Sequence, residues 1–338
     1  MSGDKVVADE IIARLGGGDD VREWVAGLEA VGPPAQAIVL PEGADLVDAL
    51  VRLSVAHEDI DTLVRLRPAP EHDPVAWWII ERTVAVVLAR MGRVEPWVRI
   101  PALPEAFGPL RRWLFVYVFV AALPHVRAFH RERGIPDDVS WATLADLGRQ
   151  MAVHRKRDGE SGFDDPVWIT LHFSGAIYAL SRLQYERITL GNSAGQAILD
   201  SGVGDGPGTP ALSVHIPGYY GPFDPASCDA SLDRAREFFP RHFPEERYDL
   251  AVCYSWLLDP QLAEYLPANS NIIRFQRRFT IIPDKGSADN ALTLRFVFGM
   301  PTDLPLDTYP QRTTLERAII THLKAGQEWR GGVGWLRL

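Results

Sequence analysis

Cysteine is scarce: Cys228 and Cys253 are the only two among 338 residues, too few for the disulfide framework of a small secreted domain. A basic excess is also missing. The formal net charge is −9 and the isoelectric point about 5.5, so nothing suggests the cationic face that neutralises phosphates, and no nucleic-acid partner is expected. The longest apolar run, Trp113 to Leu123, is about half of the ~20 residues a bilayer span needs, so it reads as a buried helix and no membrane partner is expected. Residues Met1 to Leu15 carry Asp4, Asp9 and Glu10 and no apolar core, which is not the pattern of a secretory signal. Metal-ligand spacing is absent too. The nine histidines are scattered, and His125 with His130 is their one close pairing on a helix, so no metal is expected. The chain has no internal repeat. These absences point to a cytoplasmic globular protein.

What is present suits two domains. The length exceeds what one core usually organises, and 46% hydrophobic with 23% charged residues supplies ordinary core material. The 10 Trp, 14 Phe and 9 Tyr read as large aromatic cores. Residues 1 to about 160 look helical throughout. Asp19-Asp20 is placed to cap a helix over Val21 to Val31, and Asp45 to His57 carries a stripe at Leu46, Leu50, Leu53 and Val55. Asp73-Pro74 puts a capping residue before a proline at the first helical position. The following helix, Val75 to Met91, is apolar nearly all round and therefore buried. It is consistent with a cleft cover, an acceptor pocket or a homo-oligomer interface. Leu110 to Arg131 reads as a helix kinked at Pro124, and Trp141 to Arg157 as one capped by Ser140. The polar run Lys156 to Gly162 is the linker candidate, dividing the chain into 1–160 and 161–338. A helix from Val167 to about Leu180 opens the second part after Asp165-Pro166.

The period then changes. Leu183, Tyr185, Arg187 and Thr189 alternate with Gln184, Glu186, Ile188 and Leu190, which predicts a strand. Residues 191–210 read as a loop rich in Gly, Ser, Asp and Pro. Further strands are expected over Ala211–Ile216, Tyr248–Trp256, Ile272–Ile282 and Ala291–Phe298, with a turn at Asp284 to Asp289. Helices are expected over Pro225–Phe239, Pro260–Leu266 and Thr313–Ala325, and an extended end over Val333–Leu338. Thr313 and Glu316 have capping-box spacing.

The centre of this half is a strand, a loop and a helix: Val214-His215-Ile216-Pro217, then Gly218-Tyr219-Tyr220-Gly221-Pro222-Phe223, then Asp224-Pro225. Two glycines three apart let a backbone turn and bring N–H groups to an oxyanion, and the helix N-terminus adds positive potential. The plainer reading is a turn with Asp224 as an ordinary N-cap, and Asp224 adds a negative charge at the helix mouth.

Leu183-Gln184-Tyr185-Glu186-Arg187, Val214-His215-Ile216-Pro217, Ser255 to Leu262 and Asn271 to Phe279 together resemble a family of bacterial, mostly actinobacterial, acyltransferase-like proteins. Members have an N-terminal helical domain and a GNAT-like C-terminal domain. The resemblance implies an α+β chain whose all-helical domain precedes a GNAT-like mixed α/β domain with a splayed central sheet. It implies an acyl-CoA co-substrate, acetyl-CoA or a longer donor, with pantetheine between the two splayed strands. The donor would be held by Ile216, Pro217, Gly218, Tyr219, Tyr220 and Gly221, with its pyrophosphate on Gly218 to Gly221. In that superfamily the loop carries Gln or Arg, two residues, Gly, one residue, and Gly or Ala; here it is one residue wider and holds two tyrosines.

Such an enzyme transfers the acyl group directly to an amine, with a base for the amine proton and an acid for the thiolate. Tyr265, on the short helix after the second splayed strand, matches the usual acid; its alternative is to close the apolar face of Leu262 and Leu266. Glu186 and His215 are the base candidates, with a surface carboxylate and a core histidine as their alternatives. His172 reads as packed, and Cys253 on an apolar strand and Cys228 on a helix read as small hydrophobes. Arg274, Gln276 and Arg278 are expected on one strand face, as a solvated edge or as holders of an anion. Two functions follow: an N-acyltransferase acting on a small-molecule or peptide amine, or a non-catalytic GNAT-like protein that binds a ligand or partner.

Overall fold

The computed structural model describes residues 2–204, 206–218, 220–283 and 286–338. The chain forms two compact units, Met1–Arg155 with Gly159–Ile177 and Lys156–Asp158 with Tyr178–Leu338. Its class is mixed α and β, a helical N-terminal region followed by an open six-stranded sheet with helices.

The helices of the first part are α1 (Ser2–Arg14), α2 (Asp19–Val31), α3 (Gly43–Arg52), α4 (His57–Arg65), α5 (Pro74–Ala89), α6 (Leu114–Glu132), α7 (Asp137–Leu144), α8 (Asp146–Asp158) and α9 (Pro166–Phe173). The apolar helix α5 is buried on nearly every side and packs against α6, whose residues Leu114 to Leu123 are all buried. Tyr117 of α6 donates to the Leu63 carbonyl at 2.7 Å, which satisfies its hydroxyl inside this core.

Several expected caps lie elsewhere. Gly18 occupies the cap position of α2, so Asp19 and Asp20 stand in its first turn, where they complement the helix dipole. Asp73 precedes Pro74 as expected but makes no capping bond; its carboxylate accepts from Ala69 N instead. Ser140 is not a cap. It is buried inside α7, its Oγ 2.6 Å from His130 Nδ1. In the linker candidate Lys156 to Gly162, Lys156 to Asp158 complete α8 and the chain turns at Gly159 in the left-handed region, φ 72°. Among the described residues no single helix is long and apolar enough to cross a membrane. The 3-10 segment Glu105–Arg112 and α6 reach that length only together, bent by 44°.

The second part contains β1 (Ile177–Leu180), β2 (Leu183–Thr189), α10 (Asn192–Asp200), β3 (Pro210–His215), α11 (Pro225–His242), β4 (Leu250–Ser255), α12 (Leu262–Tyr265), α13 (Asn271–Gln276), β5 (Thr280–Ile281), α14 (Asn290–Phe298), α15 (Thr314–Lys324) and β6 (Gly332–Arg337). The strand order is β1-β2-β3-β4-β6-β5. β2 runs antiparallel to β3, β3 parallel to β4 through the α11 crossover, and β6 antiparallel to both β4 and β5.

Alternation on β2 sorts its two faces. Tyr185 and Arg187 turn toward α11: Tyr185 OH meets Ser231 Oγ at 3.2 Å, and Arg187 is clasped by Glu246 at 2.6 and 2.9 Å over the Phe243 ring. Tyr178, Phe238, Phe239 and Phe243 stack around them. On the other face lie Gln184 and Glu186, joined through the register by their β3 partners His215 and Ser213. A second core gathers Leu262, Ile273, Leu294, Phe298, Ile319 and Trp329.

Four expectations fail for local reasons. The helix expected over Val167 to Leu180 stops at Phe173, and Ile177 to Leu180 is a strand. The Gly- and Ser-rich stretch 191–210 contains α10, held by buried Ala194 and Ile198. The strand expected over Ile272–Ile282 shrinks to Thr280–Ile281, because Ser270 accepts from Ile273 N and starts α13. The strand expected over Ala291–Phe298 is α14, bracketed by Asp289 accepting from Leu292 N and by Gly299 at φ 58°. The turn expected at Asp284 to Asp289 begins outside the described residues.

Candidate active site

The site lies where β3 and β4 part. β3 stays paired to β2 as far as Gln184↔His215, and β4 stays paired to β6 as far as Ser255↔Gly332. Between β3 and β4 themselves the register covers only Leu212↔Ala251 and Ser213↔Val252. The strands therefore separate toward their C-terminal ends, and His215 stands at the mouth of the gap. Two parted strand edges suit an extended, amide-bearing chain.

The register also joins two residues that the sequence separates. His215 Nε2 lies 2.8 Å from Glu186 Oε2. Glu186 is buried, while the His215 side chain keeps 25% of its exposure. A carboxylate at this distance orients the imidazole with Nε2–H donating to it, which in the neutral ring puts the lone pair on Nδ1. Buried Gln184 and Ser213 complete this polar strip.

Tyr265 belongs to a different cluster. Its hydroxyl is 3.0 Å from His322 Nδ1, and His322 Nε2 is 3.2 Å from the Glu328 carbonyl. Nε2 must donate to that carbonyl, so in the neutral ring Nδ1 accepts and Tyr265 is the donor. The Tyr265 ring also packs on His322 and Trp329, at 5.5 and 5.8 Å between centres. Among the described residues no hydrogen bond links Tyr265 with the His215–Glu186 pair.

The loop after β3 is largely accessible. Ile216, Pro217 and Tyr220 are half-buried, Gly218 and Gly221 exposed, and Tyr219 lies outside the described residues. Gly221 takes φ 80°, which a side chain would strain, and a Cβ at Gly218 or Gly221 would meet nothing within 4 Å. Asp224 caps α11, accepting from Ser227 N at 2.9 Å. Arg182, which sequence reasoning passed over, donates from Nη1 to the Pro217 carbonyl at 3.0 Å. A lone arginine in a strand-to-strand turn carries no motif, so nothing in the sequence marked it.

Cys228, Cys253, Gln276 and Arg278 serve the fold. Burial pushes the Cys253 thiol up to about 12 and raises that of Cys228, which keeps both protonated and unreactive near neutral pH. Arg274 and Gln276 lie on α13 rather than on a strand. Gln276 donates to the Leu257 and Asp259 carbonyls, and Arg278 pairs with Asp229 at 2.7 Å.

Fold and site define a GNAT-like acyltransferase architecture, and the comparisons agree. Residues 177–336 match the GNAT-like C-terminal domain and residues 44–175 the N-acyltransferase N-terminal domain. The chain belongs to the acyltransferase family that joins these two domains. It is similar, over 98% of its length and 99% of theirs, to solved acyltransferase structures. One is a mutant in complex with octanoyl-CoA, 40% identical with a TM-score of 0.89. Another holds decanoyl-CoA, at 39% and 0.89, and a third holds decanoyl-CoA and teicoplanin, at 41% and 0.88. No curated protein matches the chain.

Proposed function

We propose that this chain is an N-acyltransferase that moves a medium-length acyl group, such as octanoyl or decanoyl, from CoA to an amine of a peptide-like acceptor of the teicoplanin type. The observation that carries the reading is the His215–Glu186 pair at the mouth of the parted strands, in a chain about 40% identical to acyltransferases bound to such donors. Pantetheine lies along the strand edges, with the thioester carbonyl beside His215. The amine attacks that carbonyl, His215 Nδ1 takes its proton, and Glu186 holds Nε2–H and balances the imidazolium charge. The C–N bond forms, the C–S bond breaks, and the thiolate leaves with the proton from His215. A CoA donor places the reaction in the cytoplasm.

Tyr265 is the acid that the family resemblance implies. To reach a thiolate it must give up its bond to His322, so His215 is the proton donor this geometry favours. Tyr265→Phe is expected to keep kcat within about twofold while lowering stability by about 1 kcal/mol, the net value of one hydrogen bond. A kcat loss of tenfold or more at unchanged donor affinity would return the acid role to Tyr265.

The proposed function is tested by thermal unfolding and thiol release with acetyl-, octanoyl- and decanoyl-CoA. Octanoyl- or decanoyl-CoA at 100 times its Kd should stabilise the fold by about 2.7 kcal/mol, and thiol release should depend on a teicoplanin-type amine. Binding without release under any amine would favour the non-catalytic reading. No stabilisation by any donor would remove the acyl-CoA reading itself.

A further inference from the structure

Arg182 sits in the turn between β1 and β2 and keeps 8% of its exposure. It touches both ends of the loop that follows β3. Nη1 donates to the Pro217 carbonyl, and the guanidinium carbon lies 5.0 Å from the centre of the Phe223 ring. Its Nε is buried and donates to nothing. Among the described residues no carboxylate stands within ion-pair distance of it. The charges that act on it are Cys228, whose thiol burial keeps neutral, and Asp224, whose carboxylate is already engaged as the cap of α11. A buried guanidinium is costly unless an anion compensates it, and stacking on Phe223 supplies only part of that compensation.

We propose that Arg182 is a phosphate-binding residue of the donor site and takes the pyrophosphate of an acyl-CoA laid on the loop between β3 and α11. This rests on the acyl-CoA reading above. The planar guanidinium fork matches phosphate oxygens. The 18-residue helix α11 directs its N-terminus to the same loop, and the open space over Gly218 and Gly221 leaves room for the ligand. The charge of Arg182 also offsets Asp224, which alone would repel a pyrophosphate. The loop thereby lacks the superfamily's usual leading Gln or Arg because the cation reaches it from another strand pair.

The test measures dissociation constants of octanoyl-CoA, octanoyl-dephospho-CoA and octanoyl-pantetheine for the wild type, Arg182→Gln and Arg182→Lys. The glutamine keeps a donor for the Pro217 carbonyl and removes the charge. It should weaken both nucleotide-bearing donors at least about tenfold and leave octanoyl-pantetheine unchanged, with the lysine variant between. An equal loss for octanoyl-pantetheine would make Arg182 a brace of the loop and overturn the proposal, as would no loss at all. A loss confined to octanoyl-CoA would assign Arg182 to the 3′-phosphate and overturn the pyrophosphate assignment. Failure of the wild type to bind octanoyl-CoA would instead defeat the donor reading, so the two failures are distinguishable.

Discussion

Replacing His215 with alanine is expected to lower kcat/KM for acyl transfer by about 10²–10⁴, the usual worth of a positioned general base, with donor affinity unchanged. The side chain stands at the end of β3 and is partly exposed, so the truncation leaves no large cavity and the thermal midpoint should barely move. Glu186→Gln tests the second half of the pair. A glutamine carbonyl still accepts Nε2–H, so the ring keeps its tautomer and loses only the carboxylate charge that stabilises the imidazolium. Its rate should fall between wild type and His215→Ala. Glu186 is buried, and the isosteric amide preserves packing. Single-turnover thiol release from octanoyl-CoA with a teicoplanin-type amine reads both effects. A His215→Ala protein within about threefold of wild type would remove His215 from the chemistry.

The all-round apolar helix α5, the strand β2, and the strand, loop and helix from β3 to α11 are legible from a long apolar run, a period-two sequence pattern and an Asp-Pro helix start. The errors cluster where an apolar run is short. Asn271 to Gln276 and Asn290 to Phe298 carry β-branched and aromatic residues that suit a strand, yet their serine and aspartate caps make them helices. The site was half legible. Glu186 and His215 each stood out as base candidates, but their pairing depends on the β2–β3 register, with α10 and a long connection between them. Tyr265 stood out by its offset after β4, whereas the His322 that holds its hydroxyl comes from α15. Arg182 matters only once the turn and the loop are brought together.

The largest expected loss of stability comes from Asp146→Ala, about 3–5 kcal/mol in equilibrium unfolding at pH 7, the range for breaking a buried charge network. Asp146 is almost fully buried in the helical unit. It accepts from Trp168 Nε1 at 2.7 Å, Arg149 Nε at 2.8 Å and Gln150 Nε2 at 3.2 Å, and His172 Nε2 lies 3.4 Å away. Burial alone would raise its pKa. The electrostatic pull of His172 and of the Arg149 guanidinium, with the bonds from Trp168 and Arg149, outweighs burial and holds it at about 2. A carboxylate depressed in the folded state stabilises above its unfolded pKa of about 3.9. That contribution, roughly 2–3 kcal/mol here, is lost as pH falls toward 2. Wild type should therefore lose stability between about pH 4 and pH 2 faster than Asp146→Ala, and the gap between them should narrow. A gap that stays constant over that range would mean the loss at pH 7 reflects packing rather than the buried charge.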